Sequence, residues 1–226
     1  MGMSIAFIAI AVAAMLFHWL SPWWATPLAS NWHQMDATLT ITLIITAILF
    51  IAIHFFVAHC LLRFRHRKGS RAAYIPANKK LERWLIGGTS LAIVALLAPG
   101  LVVYAKYVSP PADALIVEVV GQQWQWHFRF PASDGPLGRG DARFVTTANP
   151  LGLDPIDPVG QNNMLVAGSE LHLPIDKPVK ILLRYLDALH DFYVPQFRAR
   201  MNMVPGMVTS FWFTATRVGR YKIQCA

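Results

Sequence analysis

Charge is missing from long parts of this chain. Ala37 to Leu62 and Trp84 to Ala105 contain no Asp, Glu, Lys or Arg, and neither does Ser4 to Leu20. A surface helix of a soluble protein needs a polar face, so these runs exclude an ordinary soluble domain for the first half of the chain. The two longer runs exceed the ~20 apolar residues that cross a bilayer core; the first is borderline. Acid is scarce as well: before Asp113 only Asp36 and Glu82 are acidic. Cysteine occurs twice, as Cys60 and Cys225, which excludes a disulfide scaffold. Cys60 sits among apolar residues at the end of a span and Cys225 in the distal part, so a disulfide between them would have to cross the membrane.

What is present is as uneven as what is absent. The 226 residues carry a formal net charge of +8, with 55% hydrophobic and 14% charged residues. Arg63, Arg65, Arg67, Lys68, Arg71, Lys79, Lys80 and Arg83 all fall between the two long apolar runs, opposed by Glu82 alone. Basic residues gathered in one short loop between spans mark its cytoplasmic side. The excess charge therefore speaks of membrane orientation and not of nucleic acid, for which no basic groove with stacking aromatics is visible. The loop 63–83 is expected inside, and Asn31 to Asp36 and everything after Ala105 outside. The first apolar segment has no basic flank. Its His18-Trp19-Leu20 and Trp23-Trp24 read as an interfacial aromatic belt, which favours a retained third span over a signal peptide cleaved near Ala29-Ser30.

The division expected is an N-terminal apolar helix and outer linker over 1–36, a helical hairpin over 37–107 with its basic loop at 63–83, and an outer domain over 113–226. Pro110-Pro111 makes a stiff exit from the membrane. Beyond it, basic and acidic residues nearly balance. Short β-branched or alternating runs at Leu115–Val120, Trp124–Phe130, Leu171–Pro174, Val179–Tyr185, Val208–Thr216 and Tyr221–Cys225, separated by turn residues, predict a sandwich or small barrel. Ala132 to Gln161, rich in Gly, Pro and Asp, is expected to be an excursion loop.

Some residues carry chemistry. Cys225 and His190, the latter within Leu189-His190-Asp191-Phe192-Tyr193-Val194-Pro195, offer a thiolate and an imidazole from two loops, a donor pair suited to copper. Gly121-Gln122-Gln123-Trp124-Gln125-Trp126-His127-Phe128 places Trp124, Trp126 and Phe128 on one face of a strand. Such a face is ordinarily core, yet three large rings exceed what so small a domain needs. His127 and His172 read as structural. Phe211, Trp212 and Phe213 read as core and interface packing. Glu82, at the start of a span, reads first as a helix-end carboxylate.

In order along the chain, the two-span hairpin, the Gly121–Trp126 motif, Asp187-Ala188-Leu189-His190-Asp191-Phe192-Tyr193-Val194-Pro195, Val204-Pro205-Gly206 and Gly219-Arg220-Tyr221-Lys222-Ile223-Gln224-Cys225-Ala226 resemble subunit II of the haem-copper cytochrome c oxidases, from about Asn31 to Ala226. The resemblance implies an α+β membrane protein, N-terminal transmembrane helices followed by an all-β cupredoxin-like Greek-key domain. It implies the dinuclear copper centre CuA, with His190 and Cys225 as ligands. The family's second Cys, second His, Met and Glu ligands are expected beyond Ala226, so that the sequence stops inside the ligand loop. Trp124 is implied as the tryptophan that receives electrons, Glu82 as the carboxylate at the mouth of a proton pathway, and Asp187 and Gln123 as part of the face that docks the donor. The implied partners are haem-copper subunit I, which holds the haems, subunit III by the same analogy, cytochrome c as donor, and the lipid of a bacterial inner membrane, with the C-terminal domain on the periplasmic side of a multi-pass chain. Coupling to proton translocation would come with subunit I. His54 and His59, five apart, share no helical face well enough to ligate haem.

Two places depart from the family pattern: Asn202 stands where an acid is common and Met207 where an arginine follows the Pro-Gly. The nearly neutral outer domain departs from a strongly acidic docking face. A quinol oxidase subunit II would keep the fold but lack the copper ligands, against which His190 and Cys225 argue. A nitric oxide reductase subunit with CuA would share most motifs, and a copper-free structural membrane subunit is the remaining alternative.

Overall fold

The computed structural model describes residues 2–21, 26–66, 68–69, 71, 74, 76–132, 135–149, 151–166 and 170–225. Trp23, Trp24, Arg67 and Ala226 lie outside the described residues. The chain forms two compact units, Met1–Ala25 with Gln34–Leu101, and Thr26–His33 with Val102–Ala226.

The first unit is built on helices α1 (Gly2–Leu20), α2 (His33–Arg63) and α3 (Lys79–Tyr107). All three are long and apolar enough to cross a membrane. The helices satisfy most of their own backbone, as hydrocarbon demands; Pro99 inside α3 withholds one amide donor from that ladder. Threonines in α2 hide their hydroxyls the same way: Thr38, Thr42 and Thr46 donate to the carbonyls of Gln34, Thr38 and Thr42 at 2.8, 2.9 and 2.8 Å. Ser4 and Ala11, two turns apart on one face, and Ala58 of α2 are buried, and small side chains let helices approach closely. Phe7 meets the His54 ring at 5.7 Å. Asn78 caps α3, its Oδ1 accepting from the Leu81 N–H at 3.1 Å.

The second unit takes in the end of α3 and is otherwise β with short helical turns. Strands β1 (Leu115–Gln122), β2 (Gln125–Phe130), β3 (Met164–Val166), β4 (Pro178–Tyr185) and β7 (Thr209–Thr214) form one sheet in the order β3-β2-β1-β4-β7, and β5 (His190–Val194) pairs with β6 (Ala199–Met203) in a second. The central pair, β1 with β4, is parallel; the other pairings are antiparallel. Alternation along the strands assigns the faces. Val117, Val119, Phe128, Val179, Ile181, Leu183, Phe211 and Phe213 are buried on one face of the larger sheet, and Phe192, Val194 and Met203 of the smaller sheet are buried with them. The rings of Phe192 and Phe211 meet at 5.7 Å across this core.

The opposite face carries charge. Glu118 is paired in register with Arg129, and its Oε2 accepts from Arg129 Nε at 2.7 Å while Oε1 accepts from Arg184 at 3.2 Å. Glu118 and Arg129 are both almost wholly buried. Their cover is the excursion between β2 and β3, to which Arg129 donates at the Gly138 carbonyl, 2.9 Å, and Arg184 at Leu151 O, 3.4 Å. A buried carboxylate is tolerable only when so paired and bonded. The edge of β7 is closed by residues 26–33, where Ser30 bridges Ala215 and Trp32 Nε1 donates to Trp212 O at 2.8 Å. Covering an edge this way removes a site for stray strand pairing.

Four expectations need correction. Leu171–Pro174 is not a strand, and neither is Tyr221–Cys225, which pairs with β5 through one bridge, Tyr193 with Gln224. His190 lies at the head of β5 and not in a loop. Trp124 is not on the Trp126–Phe128 face, because β2 begins at Gln125; Trp124 sits in the β1–β2 turn and is 94% exposed.

Candidate metal centre

The site grows from the meeting of the two sheets at one end of the core. On β1, Gly121 is in register with Trp126 of β2 on one side and Tyr185 of β4 on the other. Above it lie His190 and Met203, which are themselves a cross-strand pair of β5 and β6. The His190 side chain is 10% exposed. Its ring meets that of Trp126 edge to face, centroids 6.3 Å apart.

Both ring nitrogens of His190 are engaged. Nε2 is 2.7 Å from Asp187 Oδ1. Asp187 is itself fixed, its Oδ1 accepting from Ala188 N at 2.8 Å and its Oδ2 from Gln123 N at 2.7 Å. The bond from His190, followed by the backbone bond from Gln123, pulls the Asp187 carboxyl down to about 2, so it is ionised at neutral pH. An ionised carboxylate accepts and cannot donate, so Nε2 carries the hydrogen and the neutral ring keeps its lone pair on Nδ1. That Nδ1 is 3.9 Å from Cys225 Sγ.

Cys225 is brought there by backbone bonds. Tyr193 N donates to Gln224 O at 3.0 Å and Gln224 N returns the bond at 2.8 Å, so the residue before Cys225 is held against β5. Cys225 is exposed and is a free thiol.

These donors suit a soft transition metal. Bonds of about 2.3 Å to thiolate and about 2.0 Å to imidazole let one ion reach both atoms across 3.9 Å. A histidine that hands its other N–H to a carboxylate is the ordinary arrangement behind a metal ligand. Among the described residues no group of three or more His, Cys, Asp and Glu could hold a metal ion, so His190 and Cys225 are the donors these residues bring. Gln123 and Trp124 stand in the turn beside Asp187, through the Gln123 N–H.

Of the other candidates, His127 is bonded through Nε2 to Gln122 Oε1 at 2.9 Å, and burial lowers its pKa. His172 is exposed beside Glu170, 3.7 Å away. Glu82 lies exposed in the first turn of α3, in the other unit. Sequence reasoning missed the holding role of Asp187, which it placed only in a docking face, and the place of Gly121 beneath the imidazole. The three-residue step from Asp187 to His190 was the available signal.

The sequence profile of the cytochrome c oxidase subunit II periplasmic domain matches residues 115–226. The alternative cytochrome c oxidase subunit 2 of Bradyrhizobium diazoefficiens is 52% identical over 226 residues, covering all of this chain and 82% of that protein. Cytochrome c oxidase subunit 2 of Cereibacter sphaeroides is 27% identical over 218 residues, 89% of this chain and 68% of that one. Among solved structures, the periplasmic domain of subunit II of cytochrome oxidase from Bradyrhizobium japonicum aligns with a TM-score of 0.36 at 22% identity, over 52% of this chain and 75% of that one. By the full-length match at 52% identity, the chain belongs to the cytochrome c oxidase subunit 2 family.

Proposed function

We propose that the protein is the electron-accepting subunit of a respiratory cytochrome c oxidase. The observation that carries this is the ordered triad Asp187–His190–Cys225, with one nitrogen of His190 held at 2.7 Å and the other turned to sulfur at 3.9 Å. His190 and Cys225 would hold copper of a CuA centre. Such a centre supplies one-electron transfer with little bond rearrangement.

The chain's own residues prepare for that role. Asp187 fixes the imidazole tautomer. The rigid sheet pair holds the donor positions, as a precise site requires. Trp124 is the surface ring that would receive electrons, in the turn joined to Asp187. Asp187 and Gln123 lie at the same corner, where cytochrome c would dock. The three apolar helices would anchor the subunit in a bacterial inner membrane as a multi-pass protein, the basic loop 63–83 inside and the β domain in the periplasm, as the charge pattern supports. Subunit I, with its haems, and subunit III would pack on the helices; oxygen reduction and proton translocation would belong to that complex, with Glu82 at the mouth of a proton path.

The test is Cys225→Ser in the assembled complex. We expect loss of the CuA absorbance and of cytochrome c oxidation, with membrane insertion retained. Normal turnover by the variant would overturn the copper reading.

A further inference from the structure

We propose that Gly121 is a positioning residue for the site: its missing side chain forms the seat of the His190 imidazole and sets the approach of Nδ1 to Cys225. The proposal rests on the reading of His190 as a ligand only for its consequence in copper binding; the seat itself is a matter of geometry.

The argument starts from the register. Gly121 falls between Trp126 and Tyr185 on the inward face of the larger sheet, in a row where Val117 and Val119 are fully buried. Alternation would therefore put a buried side chain at 121, and the sequence puts none. The space is filled from the second sheet. A Cβ at 121 would lie 2.8 Å from Met203 Sδ and 3.1 Å from both Cδ2 and Cγ of His190. Carbon atoms in contact rest at about 3.5–4.0 Å, so the imidazole lies directly on the Gly121 backbone.

Neither neighbour yields easily. Met203 is fully buried. The His190 ring is bounded by Trp126 at its edge and tied to Asp187 at Nε2. With those restraints, a methyl beneath the ring turns it about its Asp187 bond or breaks that bond. Either movement changes the 3.9 Å approach to Cys225 Sγ. The backbone φ of Gly121 is not positive, so the requirement is for space and not for a special conformation.

The experiment compares Gly121→Ala, Met203→Val and the double variant, each as the full chain in lipid nanodiscs. Met203→Val clears room at the sulfur but none at the imidazole. Two readouts are taken: the tautomer and environment of the metal-free His190 ring from ¹⁵N-histidine NMR, and copper affinity. We expect Gly121→Ala to shift the His190 nitrogens and to weaken copper by about 10–100-fold, the usual loss when a ligand's support is removed. We expect the double variant to stay as weak. Restoration of both readouts by Met203→Val, or affinity within about twofold of the parent in Gly121→Ala, would overturn the proposal and leave Gly121 a packing residue against Met203. If Gly121→Ala does not fold, the double variant is compared with Met203→Val alone under the same criterion. The ¹⁵N comparison is made on the metal-free chain, so it decides the seat whether or not the parent binds copper.

Discussion

Asp187 and His190 are joined by a 2.7 Å contact between Oδ1 and Nε2, and that contact decides which nitrogen of the histidine can meet a metal. Its removal is the most direct test of the support behind the site. Asp187→Ala frees the ring to rotate and to change tautomer, and it also leaves the Gln123 and Ala188 N–H groups without their acceptor. Copper affinity should fall by about 10–100-fold. Isothermal titration with a competing chelator measures it, and Asp187→Asn should recover part of the loss by keeping an acceptor oxygen.

Trp124 should be separable from the fold. With 94% of the residue exposed, Trp124→Ala should change unfolding free energy by no more than about 0.5 kcal/mol. Stopped-flow reduction by cytochrome c should slow by an order of magnitude or more, with the copper absorbance unchanged. An unaltered reduction rate would remove Trp124 from the electron path.

Glu82 belongs to a different readout. Glu82→Gln should slow proton uptake, followed with a pH-sensitive dye during turnover, and leave cytochrome c binding as it was. Indifference of proton uptake would return Glu82 to a helix-end carboxylate in the first turn of α3, favourable there through the helix dipole.

The ion network on the outer face of the larger sheet should be costly to break from one side. Glu118→Ala leaves Arg129 buried without its partner, a loss on the order of 3–5 kcal/mol. Replacing Glu118 and Arg129 together by apolar residues of similar size should cost less, because the deeply buried Arg129 charge goes with its partner and only Arg184, whose side chain is 17% exposed and which also donates to Leu151 O, loses its carboxylate. Urea unfolding of the four members of this double-mutant cycle measures the coupling.

The excursion between β2 and β3 should loosen in acid. Asp157 Oδ2 accepts from Arg139 N at 2.6 Å and its Oδ1 from Val159 N at 3.1 Å, and the Arg139 bond leads in lowering its pKa. Asp141 is brought to about 2, chiefly by its bond from Arg143. A folded value below the unfolded one means full stabilisation above the ordinary aspartate range, near ~3.9. The contribution fades as the pH falls through the depressed folded values. Limited proteolysis within 135–163 should accelerate over that window, and Asp157→Asn should be cut faster at neutral pH with a flatter response to acid.

Much of this was legible in the sequence. The uncharged runs marked all three long helices, because hydrocarbon tolerates little else. Strands β1, β2, β4 and β7 announced themselves through Val, Ile, Leu and aromatic residues. Strands β5 and β6 did not. His190-Asp191-Phe192-Tyr193-Val194 begins with two poor strand formers, and Ala199-Arg200-Met201-Asn202-Met203 lacks any β-branched residue, so tertiary packing and not propensity makes them strands. Asp191 is buried there with its Oδ2 accepting from Arg200 Nε at 2.8 Å, a pairing that only the hairpin creates. Conversely, Tyr221–Cys225 has strand-like residues but gains a single bridge. Cys225 and His190 were paired from residue type and family pattern. Their support was not, since Gly121 and Met203 meet the imidazole only once two sheets close over each other. The Glu118 network had its own signal: charges set inside largely apolar strands at Glu118, Arg129 and Arg184 ask for one another.

The parallel pairing of the two central strands has a kinetic consequence. Leu115 finds Val179, 64 positions along the chain, and no local hairpin can bring them together. The entropy of closing that loop is lost before the contact returns anything, so the middle of the sheet is a late event in folding and the β unit is a slow folder for its size. Until β4 arrives, β1 has an open side and Gly121 has no neighbour at Tyr185. The seat of His190 on Gly121 therefore depends on a pairing between distant parts of the chain and not on its own hairpin alone.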